Sequence, residues 1–173
     1  MIIVDYSGIA LASIIINKTN DEDMIRHMIL NSLRMYHKRY KDEYGEMVLA
    51  VDAANNWRRS VFPQYKASRK KNRQESTFDW NEAFRLLNLV REEIAENFPY
   101  KVIRVDKCEA DDVIGTIVAS KSTIQFNVEK IMIVSSDRDF LQLQRFPNVK
   151  QFSPLLKKEL KENVGKPLMY EET

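Results

Sequence analysis

Short, mostly apolar runs punctuate this chain, and four of them end beside an acid. They are residues 2–4 before Asp5, Met47–Val51 before Asp52, residues 102–105 before Asp106, and Ile131–Val134 shortly before Asp137. Residues 149–152, Val-Lys-Gln-Phe, are a candidate fifth strand. Runs of this length without strict polar alternation predict strands buried on both faces. Between them, apolar residues recur every three or four positions. Residues 8–17 predict a helical return. A longer helix follows, capped by Asn20 or Asp21 and stopped at Gly45, with Met24, Met28, Leu33, Met35 and Tyr36 facing inward and the methionines filling core gaps. Residues 78–98 predict an amphipathic helix whose stripe is Ala83, Leu86, Leu87, Val90, Ile94 and Phe98, ended by Pro99. Val113, Ile114, Ile117 and Val118 mark another helix over 109–121, and a short one runs from Asp137 through Leu143. Residues 157–173 are polar and weakly patterned. Strands alternating with helices predict one α/β domain, a mostly parallel twisted sheet with helices on both faces.

Composition narrows this only slightly. A chain of 173 residues can bury a core unaided, and the lone Cys108 excludes an intramolecular disulfide or a cysteine-built zinc cage. The apolar run over 9–16 is too short to span a bilayer, which takes about 20 residues, and no basic leader precedes it. A soluble, cytoplasmic protein is expected.

The net charge of +2 says little, but its distribution says more. Arg58, Arg59, Lys66, Arg69, Lys70, Lys71 and Arg73 occur with no acid among them, interleaved with Phe62 and Tyr65 and preceded by Trp57. A solvated charged face is the plainer reading of such a run. The aromatics, and the start of the run just after Asp52, favour nucleic acid instead, because cations bind phosphates and rings stack on bases. Residues 53–77 are also too many for an ordinary connection, which predicts a functional loop or partly helical arch.

In a parallel sheet the C-terminal strand ends share one rim, where open α/β sheets hold ligands. Asp5, Asp52, the Glu109-Ala-Asp-Asp112 cluster, Asp137 and Asp139 should therefore converge. Glu109 and Asp112, three apart, share a helix face with Asp111 leaning in; Asp137 and Asp139 point the same way if that stretch is extended. Helix capping accounts for any one cluster, yet poorly for an acid after every strand. Asp106 alone is better read as structural. His27 and His37 sit mid-helix and suit surface or packing roles. Carboxylates without His or Cys favour Mg²⁺ or Mn²⁺, and two such ions about 4 Å apart suit phosphodiester hydrolysis.

Val51-Asp52, Trp57-Arg-Arg59, Tyr65-Lys66, Lys71-Asn-Arg73, Glu75-Ser-Thr-Phe-Asp-Trp80, Glu109-Ala-Asp-Asp112 and Ser135-Ser-Asp-Arg-Asp-Phe140 follow one another in the chain. In that order they resemble the 5′-nuclease (flap endonuclease) superfamily, most closely its T-even bacteriophage ribonuclease H branch. The resemblance implies a PIN-like, resolvase-like N-terminal catalytic domain over 1–173, with residues 53–77 as the arch. It implies a Mg²⁺-dependent 5′→3′ exonuclease or flap endonuclease with ribonuclease H activity, removing RNA primers and adjacent DNA during lagging-strand replication. Asp5, Asp52, Glu109 and Asp111 would form a first metal site; Asp112, Asp137 and Asp139 would serve a second, partly through water. Lys66 and Arg58 would act with Asp5, Asp52, Asp111 and Asp112 in catalysis. Arg58, Arg59, Tyr65, Lys66, Arg69, Lys70, Lys71 and Arg73 would contact nucleic acid. Implied partners are DNA and RNA/DNA hybrids, a single-strand-binding protein and a sliding clamp, with no membrane. Family members continue into a helix–hairpin–helix region expected to be absent here. The alternative is a nucleic-acid-binding half of a split nuclease, completed by a separate C-terminal helical subunit. A phosphotransfer or phosphatase domain would leave the basic segment unexplained.

Overall fold

The computed structural model describes residues 1–74, 76–122 and 128–161. Its centre is a six-stranded sheet. β1 (Ile2–Asp5), β2 (Met47–Val51), β3 (Lys101–Arg104), β4 (Ile131–Val134), β5 (Val149–Ser153) and β6 (Lys158–Leu160) lie in the order β3-β2-β1-β4-β5-β6. All neighbours pair parallel except β5 with β6. The register sets Asp5 beside Ala50, and Val4 beside both Leu49 and Val134, so the ends of β1, β2 and β4 are level.

Alternation along each strand divides the core. Ile2, Val4, Leu49, Val51, Met132 and Val134 face α1 (Tyr6–Asn17), α2 (Glu22–Tyr44) and α5 (Trp80–Asn97). Ile3, Ala50, Ile131 and Ile133 face α6 (Ala110–Ser122) and the 3-10 helix Arg138–Arg145. Each fully buried Ile or Leu contributes about 1.5–3 kcal/mol, so both faces hold the sheet. Between β2 and α5 lie α3 (Trp57–Val61) and α4 (Ala67–Gln74), and the described residues of this connection are the arm. No described helix is long and apolar enough to cross a membrane.

Several expectations are corrected. In α2 the inward stripe is Ile25, Ile29, Leu33, Tyr36, Tyr40 and Tyr44. Met24 and Met35 fall beside it and are 48% and 53% exposed, so they are not core filler. Phe98 ends α5 at the surface rather than in the stripe, because the chain turns extended there. β3 starts and stops one residue earlier than its apolar content suggests; as the strand beyond β2 it is half-exposed, and Val105 lies outside. The polar tail supplies β6, a hairpin return on β5 turned at Lys157, whose φ is 53°. Expectations for residues 162–173 lie outside the described residues.

Candidate active site

The acids at the rim fall into two electrostatic classes. Asp5 closes β1 and caps α1, accepting from the Gly8 N–H at 3.1 Å and from Ser135 Oγ at 3.0 Å. Gly8 permits that approach, since a Cβ there would stand 2.9 Å from Asp5 Oδ2. Asp52 follows β2 and accepts from Ser7 Oγ at 2.7 Å and the Ala110 N–H at 2.8 Å, which ties the strand end to the start of α6. Asp137 caps the 3-10 helix through the Asp139 N–H at 2.9 Å. Wholly buried Gln151 fixes that corner by donating to the carbonyls of Ser135 and Asp137 at 2.9 and 2.6 Å. Asp111 occupies the first turn of α6. Burial, then the charges of Asp5 and Asp137, push its carboxyl up to about 6, and Lys66 offsets this only partly. Asp5 is likewise raised, by burial above all and by Asp52 and Asp137, despite its hydrogen bonds from Gly8 and Ser135. Among the described residues, Asp5, Asp52, Asp111 and Asp137 have no ion-pair partner.

Glu109 and Asp112 differ. Both turn to the arm. Arg58 grips Asp112 with two bonds of 2.8 Å, and its Nη1 lies 3.4 Å from Glu109. Lys66 Nζ donates to Glu109 Oε1 at 2.8 Å, and Tyr65 OH to Oε2 at 2.9 Å. The Arg58 bonds hold the Asp112 carboxyl below its ordinary range. Burial raises Glu109, but Lys66 and Tyr65 outweigh it and the net shift is downward. Burial lowers Lys66, and the bonds to Glu109 and Tyr65 raise it overall. Lys66 reaches this position with φ at 54°, a left-handed conformation that side chains other than glycine adopt at a cost. Asn56 caps α3 at 2.8 Å, and the Trp57 N–H donates to the Lys107 carbonyl at 2.9 Å, anchoring the arm just ahead of Glu109.

With Glu109 and Asp112 so engaged, no three acids among the described residues form a ready metal cage. The expected extended stretch at Asp137 and Asp139 is in fact the start of the 3-10 helix, so the two acids diverge. Asp139 joins Arg58, Tyr65, Asp111 and Asp112 around a cavity of about 480 Å³. A second cavity, of about 600 Å³, lies under the arm; Arg59, Lys66, Arg69 and Arg73 line it beside Asp52 and Glu109. The side chains of Lys70 and Lys71 lie outside the described residues. Asp106 is exposed in a turn. His27 bonds Asn31, and His37 packs edge-on against Tyr100. Sequence reasoning missed Ser7, Arg91 and Arg104, and it gave Ser135 no role beyond its place in a motif. Arg91 carried a signal, a cation four places after Leu87 on the apolar stripe of α5.

A family model, the 5′-3′ exonuclease N-terminal resolvase-like domain, matches residues 2–172. The chain belongs to this 5′-3′ exonuclease family. It is 41% identical over 172 residues to the ribonuclease H of Enterobacteria phage T4, covering 94% of this chain and 55% of that protein. Its fold superposes on the phage T5 5′-exonuclease with bound zinc, at a TM-score of 0.73, 17% identity, and coverage of 93% of this chain and 57% of that one. The T5 flap endonuclease in a complex with DNA and metal ions gives 0.72 and 19%, covering 92% and 57%. The chain thus spans little more than half the length of these relatives. The α/β fold expected from the strand runs is the 5′-3′ exonuclease fold, and the family's named members are nucleases.

Proposed function

We propose that this chain is a divalent-metal-dependent nuclease hydrolysing phosphodiesters at a 5′ end or flap, with RNA primers and adjacent DNA as substrates. Residues 1–173 are its N-terminal catalytic domain and residues 53–77 its arch. One observation carries this reading. A basic arm bearing aromatics is docked, through Arg58, Tyr65 and Lys66, on a rim where four other carboxylates have no cation. The kinship with phage T4 ribonuclease H supports the substrate class.

The donor set fits hard divalent cations. Asp5, Asp52, Asp111 and Asp137 offer only oxygens; burial above all, and mutual repulsion added to it, raises Asp5 and Asp111, and a cation among them would offset both. Mg²⁺ suits these donors and Mn²⁺ can substitute, two ions being held once Glu109, Asp112 and Asp139 join. Bound there, the ions supply Lewis-acid activation of water and of the scissile phosphate. Glu109 and Asp112 become available only by releasing Lys66 and Arg58, and that exchange frees two cations for the substrate. Lys66 then stabilises charge developing on the phosphoryl oxygens, and the Arg58 fork grips phosphate oxygens. Tyr65 and Trp57 offer stacking faces to bases, while Arg59, Arg69, Lys70, Lys71 and Arg73 neutralise the strand.

Asp112→Asn should abolish Mg²⁺-dependent cleavage of a 5′-flapped or RNA-primed duplex; normal turnover would sink the metal assignment. Lys66→Ala should slow single-turnover cleavage by about 10²-fold with a far smaller change in binding. An unchanged single-turnover rate removes the role given to Lys66.

A further inference from the structure

Five arginines and Lys66 line the cavity of about 600 Å³ under the arm. Arg59, Arg69 and Arg73 enter it from the arm, whereas Arg91 and Arg104 enter from the body, on α5 and at the end of β3. Among the described residues, the guanidinium groups of Arg59, Arg69 and Arg104 have no ion-pair or hydrogen-bond partner. Among the described residues, the Arg73 guanidinium meets the Phe84 ring, at 5.2 Å. Two of the three acids lining the same space are already paired with cations. Glu92 bonds Arg91 at 2.6 Å, Glu109 bonds Lys66 at 2.8 Å, and Asp52 accepts from Ser7 and the Ala110 N–H. Unpaired guanidinium groups around one space repel one another, and an anion between them removes that cost.

We propose that this cavity receives a 5′-terminal nucleotide bearing a monophosphate, with Arg91 and Arg104 as its inner wall. Arg91 is only 8% exposed, on an otherwise apolar helix face. Asn88 and Glu92 hold its guanidinium at 2.7 and 2.6 Å, so its remaining N–H groups are fixed before a ligand arrives. A planar guanidinium fork matches phosphate oxygens. A phosphate monoester brings about −1.5 to −2 charge and three free oxygens, where an internal diester brings a single charge and two. Leu11, Phe84 and Leu87 line the same cavity and give a sugar and base an apolar wall. The volume suits a nucleotide rather than a bare ion. Asp52, Lys66 and Glu109 belong both to this cavity and to the acidic rim. A phosphorylated end seated here therefore lies next to the carboxylates.

The inference rests on the nuclease reading, and one experiment separates the two. Oligonucleotides with a 5′-phosphate or a 5′-hydroxyl are compared for binding without divalent metal, by fluorescence anisotropy, and for single-turnover cleavage with Mg²⁺. The phosphate should tighten binding about ten-fold, the scale of a charge-assisted contact. R104Q and R91Q should each remove most of the difference between the two ends; Arg104 is exposed, and a melting curve checks that R91Q is folded. Equal affinity for both ends, or equal weakening of both by R104Q, overturns the receptor and means that the strand passes through. Normal cleavage with no preference would leave the nuclease standing without it. A preference lost in R104Q, with no cleavage of any substrate, would do the reverse.

Discussion

The rim carboxylates carry opposite linkage to pH, and Asp111 is the sharpest case. Its carboxyl, pushed up to about 6 by burial and by Asp5 and Asp137, titrates near its ordinary value in the unfolded chain. Between those two values the native state binds more protons, so this residue's effect on stability turns unfavourable as pH rises through that window. Glu109 and Asp112 behave in the other sense. Their depressed values contribute stability above the ordinary carboxylate range, and it is lost as pH falls through their folded values. The metal-free Asp111→Asn variant should therefore melt above the parent at pH 7, with each kcal/mol relieved worth about 2–4 °C in a chain of this size. The gap should close by about pH 4, where the parent carboxyl is protonated. Added Mg²⁺ should invert the ranking, since the parent retains the ligand and gains binding energy. Melts at the two pH values with and without Mg²⁺ check this, and matching curves at pH 7 would contradict it.

At the scale of elements, α1 shows how a helix start serves the site. Its third residue, Gly8, donates to Asp5 and leaves room for the carboxylate. Alanine favours helix by about 1 kcal/mol over glycine, yet its Cβ would stand 2.9 Å from Asp5 Oδ2 and turn that side chain. Gly8→Ala should hold or slightly raise the melting temperature while cutting Mg²⁺-dependent cleavage. Full activity would show that Asp5 need not sit where β1 leaves it. The same scale explains what the sequence could announce. Strand runs were plain in β1, β2 and β4, where both faces are covered, and blurred in β3, where one neighbour is missing. β6 carried no apolar signal because backbone pairing with β5 and the Gln144 amide at the Leu160 carbonyl hold it, rather than buried side chains. In α2 a long helix offers several candidate stripes, and the tyrosines at 36, 40 and 44, not the methionines, continue the one that meets the sheet. The acids were legible as a group because strand ends share a rim. Their division into two classes was not, since it depends on Arg58 and Lys66, which stand 54 and 43 positions away from Asp112 and Glu109.

For the whole molecule, that division implies, on the proposed nuclease reading, that the arm and divalent metals would compete for Glu109 and Asp112. The sheet order sets the ends of β1, β2 and β4 side by side and brings α6 to them, while the arm, leaving after β2, bends back over the same acids. Without metal, Arg58 and Lys66 neutralise Glu109 and Asp112 and are lost to the strand. On the proposed nuclease reading, bound metal would make these two carboxylates change partner and would free two cations for phosphates. Divalent metal and nucleic acid should then bind with positive coupling, and each must change the affinity of the other by one common factor. Neutralising two further phosphates also steepens the dependence of binding on salt. An oligonucleotide with non-cleavable linkages allows both arms of this cycle to be measured, its affinity with and without Mg²⁺ and the affinity for Mg²⁺ with and without it. About 5- to 100-fold tightening is expected in each direction, the range of an ordinary coupling free energy. Lys66→Ala should bind Mg²⁺ more tightly than the parent when no nucleic acid is present, because Glu109 no longer has a cation to release. It should also show weaker coupling, because one of the two freed charges is gone. Independent binding in the parent, or a Lys66→Ala variant with unchanged Mg²⁺ affinity, would mean that the contacts between arm and rim do not gate the metals.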